Sequence, residues 1–464
     1  MATTDLENTA ADAATDTPQE TDYPPAGYAW YVVCVLTLAY VISFIDRQIL
    51  ALLVGPIKAD LNLTDTQISL LMGLAFGLFY TLMGIPLGRL ADRYSRRALV
   101  AAGITMWSLM TAACGLAKGY GQLFLARVGV GVGEASLSPS ALSLISDYFP
   151  KHKRGRAIGL YQMGVSVGVG LALILGGAVI GFANAGGDTV LPVVGTIRPW
   201  QLVFIIVGLP GLLVALLMLT IKEPRRRGLL KSGGGADDVL PFRFVLTYLF
   251  ERRKVFGQLF VGMSVVTIVG YAYFSWVPTM FMRTFGWTIS QVGYTYGIIM
   301  LICGPLGVNG AGWLADRLYA RGYGDAHMRT TLIGVLLTLP TAAVMPLMPT
   351  AELAVVMLAL ASIGPAMATA TGASALVMIT PNQMRGQMSA IYLFVISIIG
   401  LTAGPTAVAL ITDYVYRDEG ALRYSIAWVS GIGAAFSTVI MLNNLKPYQV
   451  AVAESQAWQE GQPG

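Results

Sequence analysis

The chain has 464 residues, of which 55% are hydrophobic and only 12% are charged. Because a soluble domain carries roughly 25% charged residues, this composition excludes an ordinary soluble protein and indicates an integral membrane protein. The net charge of +5 does not indicate nucleic-acid binding, since the basic residues alternate with apolar stretches and form no single patch. The three cysteines lie inside apolar stretches without partners at metal-ligand spacing, so neither a metal site nor a cofactor is expected.

Residues 1–26 contain acids, Thr, Ala and Pro but no Lys or Arg. A signal peptide needs a basic start followed by an apolar run, so residues 1–26 are expected to form a solvated, disordered cytoplasmic tail. After this tail, apolar runs of about 20 residues, the length that crosses a bilayer, recur along the chain. They predict twelve spans, at 28–54, 66–88, 98–117, 121–147, 155–183, 199–221, 255–281, 289–314, 328–348, 353–379, 385–412 and 424–444.

Lys and Arg are distributed unevenly between the connectors of these spans. The connectors after even-numbered spans, with the C-terminus, hold 22 of them, whereas the connectors after odd-numbered spans hold six. Cytoplasmic connectors are enriched in Lys and Arg, so both termini are predicted to be cytoplasmic in a multi-pass protein of the cell (inner or plasma) membrane. We call the side with the even connectors and both termini the basic face, and the other side the opposite face.

The sequence also repeats itself. "GRLADRYSRR" (88–97) matches "GWLADRLYAR" (312–321), and "PKHKRGRAIGLY" (150–161) matches "PNQMRGQMSAIY" (381–392). The similar offsets indicate two parallel halves of six spans. The connector between the halves contains "PFRFVLTYLFERRK", in which aromatic and basic residues alternate as in an interfacial helix. The predicted segments are an N-terminal bundle at 27–222, a linker with this interfacial helix at 223–254, a C-terminal bundle at 255–446 and a cytoplasmic tail at 447–464.

Two matched halves with a binding site between them at mid-membrane depth are a transporter architecture. The doubled "GxLADR" connector and the six-plus-six arrangement resemble the major facilitator superfamily over residues 28–445. Within that range, "FIDRQILALLVGPIKADLNLTDTQISLL" and "ARVGVGVGEASLSPSALSLISDYFP" resemble its Spinster-like subfamily. The resemblance implies an all-α membrane fold of twelve helices in two pseudo-symmetric six-helix bundles, acting as a monomeric transporter and not as an enzyme.

Four charged residues lie inside predicted spans: Asp46 and Arg47 in span 1, and Arg127 and Glu134 in span 4. A charge at the bilayer centre costs roughly 2.5–3.5 kcal/mol, so such residues are candidates for function. Arg127 and Glu134 are seven residues apart and share one helix face, whereas Asp46 and Arg47 point about 100° apart. We expect Arg127 to pair with Asp46 or with an anionic substrate group, and Glu134, isolated near mid-depth, to be the exchangeable proton site.

The resemblance assigns Asp46, Arg127 and Glu134 to coupling and substrate binding. We therefore predict Asp46 and Glu134 as proton-coupling residues and Arg127 and Glu134, together with Arg47, as substrate-binding residues. The alternative is a permanent ion-pair network that only locks spans 1 and 4 together.

Two glycine-containing strings resemble enzyme motifs but lie in predicted spans. "GVGVG" (129–133) has no preceding strand, which a nucleotide loop requires. "GVSVG" (164–168) matches a nucleophile elbow, which needs a strand–turn–helix with a histidine and an acid. We expect the glycines of both strings to permit close helix packing. A membrane-embedded enzyme acting on lipid stays as an alternative, although no nucleophile or metal constellation is visible.

The repeated connector is a different kind of motif. Its glycine permits a close helix turn, its acid can cap or pair with a neighbouring helix end, and its arginines hold the loop on the basic face. The resemblance makes it a conformational latch that engages acids at nearby helix ends, and the alternative is a loop that only sets topology. The predicted latch residues are Gly88, Asp92, Arg93 and Asp147, with Asp316 and Arg317 in the second copy.

Spans 7, 8 and 10 offer candidate cavity lining in the C-terminal half, where few residues are charged. The candidates are Tyr271, Phe274 and Trp276 in span 7, Asn309 in span 8 and Thr369 in span 10. Charges in one half and aromatic or mildly polar groups in the other suit an amphipathic anion, with its head beside Arg127 and its hydrocarbon tail against the second half. The alternative for the aromatic residues is packing or interface anchoring.

The prediction is therefore a proton-coupled secondary active transporter that moves a lipid-like or amphipathic organic anion by alternating access. The Spinster resemblance implies sphingolipids or lysophospholipids as substrates. A proton symporter of small organic anions such as sugar acids is the alternative, and a hydrophilic cavity in spans 7 and 10 would favour it. The expected partners are the substrate, protons and the lipid bilayer.

Overall fold

The protein is described by a computed structural model that covers residues 23–191, 195–224, 226 and 242–459. Most of the predicted N-terminal tail and much of the linker lie outside these residues. Within them, twelve helices are long and apolar enough to cross a membrane, which confirms the predicted number. Spans 1 to 12 are Ala26–Leu52, Asp65–Arg93, Arg96–Cys114, Tyr120–Tyr148, Lys153–Gly186, Pro199–Thr220, Arg253–Phe285, Ile289–Ala320, Ala326–Leu347, Ala351–Met378, Arg385–Tyr416 and Glu419–Ser455.

Several spans are interrupted within the membrane. Span 2 changes to a π-helical turn, span 4 breaks after Glu134, and span 6 breaks before Pro210, which has no N–H to continue the helix. π-helical turns hold an extra residue and are frequent at functional sites. The pieces are Asp65–Met72, Leu74–Leu78 and Phe79–Arg93 in span 2; Tyr120–Glu134 and Leu137–Tyr148 in span 4; Pro199–Gly208 and Pro210–Thr220 in span 6; and Arg385–Leu410 with the π-helical turn Ile411–Tyr416 in span 11.

Shorter elements lie in the connectors. Helix Val54–Leu61 follows span 1, and an antiparallel pair of strands, β1 (Thr189–Leu191) and β2 (Gly195–Ile197), precedes span 6. The linker contains a helix at Phe242–Glu251, which we call the linker helix, as the sequence predicted. The predicted boundary at residue 447 is wrong in one respect, because the helix of span 12 continues through it to Gln459.

The spans form two bundles that meet along two seams. Inside the bundles, span 1 packs along span 5, span 3 against spans 4 and 6, span 9 against spans 10 and 12, and span 7 against spans 11 and 12. Between the bundles, span 5 lies against span 8 and span 2 against span 11. Spans 1 and 7 also contact each other, so the two halves of the twelve-helix fold meet mainly along these two seams and additionally between spans 1 and 7.

The seam between spans 5 and 8 is built on glycines and extends only part of the way across the membrane. A Cβ atom on Gly293 would lie 2.4 Å from the carbonyl oxygen of Leu173, and one on Gly297 would lie 2.7 Å from that of Gly170. Only glycine permits backbones to approach this closely, which agrees with the packing role predicted for small residues in span 5.

The seam ends before the basic face. The last close approach is between Ser166 and Gly304, and further along, Gly159 of span 5 and Gly310 of span 8 have no described neighbour within 4 Å of an added Cβ. Span 2 behaves in the same way, since Gly77 touches Leu401 whereas Gly84 is open. The halves therefore touch toward the opposite face and diverge toward the basic face.

Candidate functional site

The buried ion pair in the N-terminal half joins spans 1 and 4. Arg47 Nε donates to Glu134 Oε2 at 2.5 Å, and the Glu134 side chain has no exposed surface while that of Arg47 is 13% exposed. The prediction of an isolated Glu134 is therefore wrong, because span 1 turns Arg47 toward it. The second carboxyl oxygen of Glu134 has no hydrogen-bond partner among the described residues. Because water barely reaches this pair, the side chains packed around it determine its geometry.

Aromatic rings surround Arg47 on its remaining sides. Its guanidinium carbon lies 4.9 Å from the ring centroid of Phe44, 4.8 Å from that of Phe76 and 4.6 Å from that of Tyr80. Desolvated cation–π contacts of this kind contribute about 2 kcal/mol or more. The rings therefore add to the stabilisation that Glu134 gives the Arg47 cation.

Phe76 connects the two buried arginines. The guanidinium carbon of Arg127 lies 5.4 Å from the Phe76 ring, so this ring contacts both Arg47 and Arg127. Phe76 belongs to the π-helical turn of span 2, and its ring stacks on Tyr80 at 5.5 Å. Sequence analysis missed both aromatic residues, and the flanking glycines of "GLAFGLFY" were the available signal.

Arg127 and Asp46 meet, but not through an ion pair. Arg127 Nη1 donates to the backbone carbonyl of Asp46 at 3.1 Å, while the Asp46 carboxyl points elsewhere. The predicted contact is thus present with a different acceptor. Both carboxyl oxygens of Asp46 are buried without a hydrogen-bond partner among the described residues, beside Trp107 and Thr111, whose donors also lack one. An uncharged carboxyl occupies such a site at far lower cost than a carboxylate.

Glycines of span 4 allow this site to assemble. A Cβ on Gly131 would lie 2.6 Å from the carbonyl oxygen of Phe76, and one on Gly133 would lie 2.8 Å from the backbone nitrogen of Trp107. Span 4 therefore lies in backbone contact with the π-helical turn of span 2 and with span 3. This confirms the expectation that the glycines beside Glu134 thin the helix for close packing, and it explains why the two arginines share one ring.

In the C-terminal half, one of the five predicted lining residues, Tyr271, lies near the ion pair, and a second, Phe274, contacts Tyr271. Tyr271 and Phe274 are half-buried, with ring centroids 6.1 Å apart, and Tyr271 is close enough to Arg47 for the two side chains to interact electrostatically. Trp276 is different, because it is fully buried and its indole N–H donates to the carbonyl of Pro405 at 2.9 Å. The prediction for Trp276 is corrected, since this side chain packs span 7 on span 11.

The polar pair predicted in spans 8 and 10 lies apart from this group. Asn309 and Thr369 are exposed, and their side chains donate to the carbonyls of Pro305 and Pro365 in their own helices, each at 2.8 Å. Each donor therefore satisfies a carbonyl near a helix proline. In this conformation, neither side chain joins the cluster around Arg47.

The latch on the basic face uses a different arginine from the predicted one. Asp147 accepts from Arg96 at 2.5 Å, and Arg96 also donates to Glu223 at 2.8 Å. Asp92 and Arg93 are exposed, and their side chains make no hydrogen bond or ion pair with a described residue. Their predicted pairing with Asp147 is not formed in this conformation, in which Arg96 at the start of span 3 turns toward span 4 and takes that place.

Glu223, just after span 6, completes this latch and was missed by sequence analysis. Besides Arg96, it accepts from the Ser95 hydroxyl and from the Arg97 N–H, each at 2.9 Å. Partial burial raises the pKa of Glu223, but these N–H donors outweigh it and hold the pKa below its usual value.

Gly88 has room around it, since an added Cβ would meet Pro139 no closer than 3.9 Å.

The second copy of the motif is also open. Asp316 and Arg317 are exposed, and the Arg317 guanidinium lies 5.5 Å from the Trp313 ring. The buried acid in this region is instead Asp325, which accepts from Arg329 at 2.7 Å. The repeat therefore preserves the sequence of the connector but not the ion pairs around it.

A second ionic group joins the two halves at the opposite face, and sequence analysis missed it. The opposite-face cluster consists of Lys58 and Asp65 from the N-terminal half and Arg283 and Glu419 from the C-terminal half. Arg283 donates to both Asp65 oxygens, at 2.7 and 2.9 Å, and to Glu419 at 3.0 Å. Lys58 donates to Asp65 and, at 2.9 Å, to Glu419.

Asp65 is the centre of the cluster, because its side chain is fully buried while that of Glu419 is 62% exposed. A further bridge lies nearby, where the backbone N–H and hydroxyl of Thr66 donate to Asp413 at 2.7 and 2.6 Å. These contacts close the opposite face across the seam between the halves.

Comparison with known proteins agrees with this architecture. The Major Facilitator Superfamily pattern matches residues 36–405. An MFS-type efflux pump of Mycolicibacterium smegmatis (strain ATCC 700084 / mc(2)155) is 30% identical over 89% of this chain and 91% of its own length. A probable L-galactonate transporter of Escherichia coli (strain K12) is 25% identical over 64% of each chain.

A solved structure is similar over nearly the whole chain. The crystal structure of a bacterial homolog to the human lysosomal transporter Spinster, in an inward-facing and unoccupied conformation, has a TM-score of 0.75 and 28% sequence identity, covering 95% of this chain and 100% of that one. The chain therefore belongs to the Major Facilitator Superfamily, as a Spinster-like, multi-pass membrane transporter.

Proposed function

We propose that this transporter is proton-coupled and moves an amphipathic organic anion by alternating access. The observation that carries the proposal is the buried pair of Arg47 and Glu134 beside the seam between the halves. Protonation of Glu134 removes the negative partner of Arg47 and leaves a desolvated cation that can accept an anionic group. Binding of the proton and binding of the anion then favour each other, which is the thermodynamic requirement for carrying both together.

Asp46 has a separate part in this proposal. Its carboxyl is fully buried beside the donors of Trp107 and Thr111 and forms no ion pair with a described residue, so it holds a proton at a lower electrostatic cost than a permanent charge. Arg127 adds a second positive charge to this region, since its guanidinium also contacts the Phe76 ring. We assign Asp46 and Glu134 to proton coupling and Arg47 and Arg127 to recognition of the anionic head.

The amphipathic character of the substrate follows from what surrounds the arginines. The neighbouring side chains are aromatic, namely those of Phe44, Phe76 and Tyr80 from one half and Tyr271 from the other, with Phe274 behind Tyr271. Such a lining binds apolar tails well and offers few partners for sugar hydroxyls.

A symporter of sugar acids is the second candidate, and the similarity to the L-galactonate transporter favours it. That substrate would need polar side chains around its hydroxyls. Asn309 and Thr369 could contribute, since each keeps an acceptor oxygen free of its hydrogen bond to a helix carbonyl, but both lie apart from the cluster around Arg47. A lipid-modifying enzyme has no such support.

The orientation belongs to the same proposal. We assign the basic face and both termini to the cytoplasm, because Lys and Arg are concentrated in the connectors of that face. The protein is proposed to act as a monomer in the plasma membrane. The halves diverge toward that face, so the conformation described here would open to the cytoplasm. The reported inward-facing state of the Spinster homolog supports this assignment. The latch residues Gly88, Asp92, Arg93, Asp147, Asp316 and Arg317 would then act when the basic face closes.

Flux into proteoliposomes tests the proposal. Lysophospholipid and a sugar acid are offered with and without an inward pH gradient, to the wild type, to Glu134→Gln and to the control Glu352→Gln, which changes an exposed glutamate of span 10. We expect gradient-driven uptake of the lysophospholipid by the wild type and the control, and its loss in Glu134→Gln. Gradient-driven uptake that survives in Glu134→Gln, or that is confined to the sugar acid, would contradict the proposal.

A further inference from the structure

A basic cleft lies at the C-terminal half, away from the ion pairs described above. It has a volume of about 400 Å³ and is formed where the residues after the linker helix meet the start of span 7 and the end of span 12. Arg252, Lys254 and Lys446 line it together with apolar side chains, among them Val255, Pro447 and Val450. Positive charge and apolar surface thus share one concave site.

The charges of the cleft are unbalanced. Arg252 pairs with Glu454 at 2.9 Å and lies 4.6 Å from the Tyr248 ring, so its position is fixed. Lys254 and Lys446 are exposed, and neither forms an ion pair or hydrogen bond through its side chain with any other described residue. Three cations therefore face one carboxylate, and two of them are free to bind an anion.

The depth of the cleft matches the headgroup region of a bilayer. Lys446 lies 24 residues after Leu422, the start of its helix, which is roughly 36 Å along the axis. The hydrocarbon core is about 30 Å thick, so Lys446 lies just beyond it on the basic face. Pro447 and Val450, the latter 60% exposed, follow Lys446 along the same helix and line the side of the cleft that faces away from the bilayer.

The linker helix gives an independent sign of the membrane surface. It buries Val245 and Tyr248 against the bundle while the rings of Phe242, Phe244 and Phe250 are 58%, 51% and 64% exposed. Exposed aromatic rings on a short helix beside basic residues are typical of a helix that lies in the interface of a bilayer. A lipid headgroup bound in the cleft would therefore contact the end of a segment already placed at that surface.

We propose that this cleft binds the phosphate of an anionic glycerophospholipid. Lys254, Lys446 and the fixed Arg252 would contact the phosphate oxygens, and the acyl chains would enter the bilayer past Val255, which follows Lys254 into span 7. The excess positive charge favours a headgroup with net negative charge over a zwitterionic one, in which a choline or ethanolamine cation would meet the lysines. The site is distinct from the transport pathway and does not rest on the proposed substrate.

Lipid titration of the purified full-length protein in detergent tests this site. Bound phosphatidylglycerol and phosphatidylcholine are counted by native mass spectrometry for the wild type, for Lys254→Gln/Lys446→Gln and for the control Arg253→Gln/Arg321→Gln, whose two arginines are exposed on the basic face outside the cleft. At about 1 kcal/mol for each basic residue, the cleft variant should bind phosphatidylglycerol about 30-fold more weakly. The control should stay within about threefold of the wild type. Glu454→Gln, which removes the acid, should bind it more tightly.

Each alternative outcome is decisive. Equal binding of phosphatidylglycerol by the wild type and the cleft variant would overturn the site. If the wild type bound phosphatidylcholine as tightly as phosphatidylglycerol, the cleft would not recognise the charge of the headgroup. Displacement of the lipid by inorganic phosphate at matched concentration would make the cleft a soluble-anion site and contradict the assignment to a lipid.

Discussion

Two ionic groups in this protein differ in how they relate to the seam between its halves. Arg47 and Glu134 both belong to the N-terminal half, so their contact need not break when the halves rotate against each other. The opposite-face cluster joins Lys58 and Asp65 to Arg283 and Glu419 across the seam, so it must break before the opposite face can open. The location of a pair relative to the seam therefore decides whether it acts on what is bound or on which face is open.

The largest effect is expected from removing the cation of the buried pair. Arg47→Gln leaves Glu134 buried without its partner, a change that typically costs about 3–5 kcal/mol, and it removes the proposed anion receptor. We expect transport by correctly folded protein to fall at least about 100-fold, with Arg47→Lys intermediate because it keeps the charge but not the planar fork. Flux normalised to monodisperse protein measures this effect. Transport by Arg47→Gln within about threefold of the wild type would contradict the binding role of the Arg47–Glu134 pair.

The next effect is expected at the opposite face. Arg283→Gln removes a bidentate contact to the buried Asp65, for which the lower end of the same range, about 3 kcal/mol, is appropriate. The equilibrium between the two conformations should shift roughly 100-fold toward opening of that face. Cysteine accessibility from that side reports the shift. An unchanged accessibility in Arg283→Gln would show that the cluster does not hold the face shut.

A smaller effect is expected at the ring shared by the two arginines. Phe76→Leu keeps an apolar side chain but removes cation–π contacts to Arg47 and Arg127, a loss of roughly 1–2 kcal/mol. The apparent affinity for the anion should weaken about tenfold, without a change in cysteine accessibility at the opposite face. Phe182→Leu, at an exposed ring of span 5, serves as the control. Equal effects of the two substitutions would remove the special role of Phe76.

The smallest effect is expected at Glu223, whose contacts also lie within one half. A carboxyl with a lowered pKa stabilises the fold above its usual pKa of 4.5 and loses that contribution as the pH falls through the lower folded value. Glu223→Gln should therefore lower thermal stability by about 1 kcal/mol at neutral pH and by nothing at a pH below both values. Thermal unfolding at several pH values measures this, and a difference that grows toward low pH would reverse the predicted sign.

Much of the fold could be predicted because membrane spans have a strong one-dimensional signal. Apolar runs of about 20 residues identified all twelve spans, with every boundary except the end of span 12 placed within about six residues, and the repeated connector indicated the two halves. Charge in an apolar run likewise identified Asp46, Arg47, Arg127 and Glu134. The extension of span 12 to Gln459 was missed because polar helical residues beyond the bilayer carry no such signal.

The contacts within the site could not be predicted in the same way. The partner of Glu134 depends on how span 1 is rotated about its axis, and the partner of Asp147 depends on which of two arginines three residues apart faces span 4. Composition also cannot separate Trp276, which packs, from Tyr271, which lies near Arg47. Asp65 and Glu419 lie far apart in the sequence, so nothing local joins them.

The most direct test combines the two ionic groups in one distance measurement. Spin labels at Lys118→Cys and Glu352→Cys, exposed on the opposite face in different halves, report opening by pulsed electron resonance after replacement of the native cysteines. The account predicts a population at longer distance in Arg283→Gln and a distribution in substrate-free Glu134→Gln that matches the wild type. A longer distance in Glu134→Gln, or none in Arg283→Gln, would contradict the division between binding and gating.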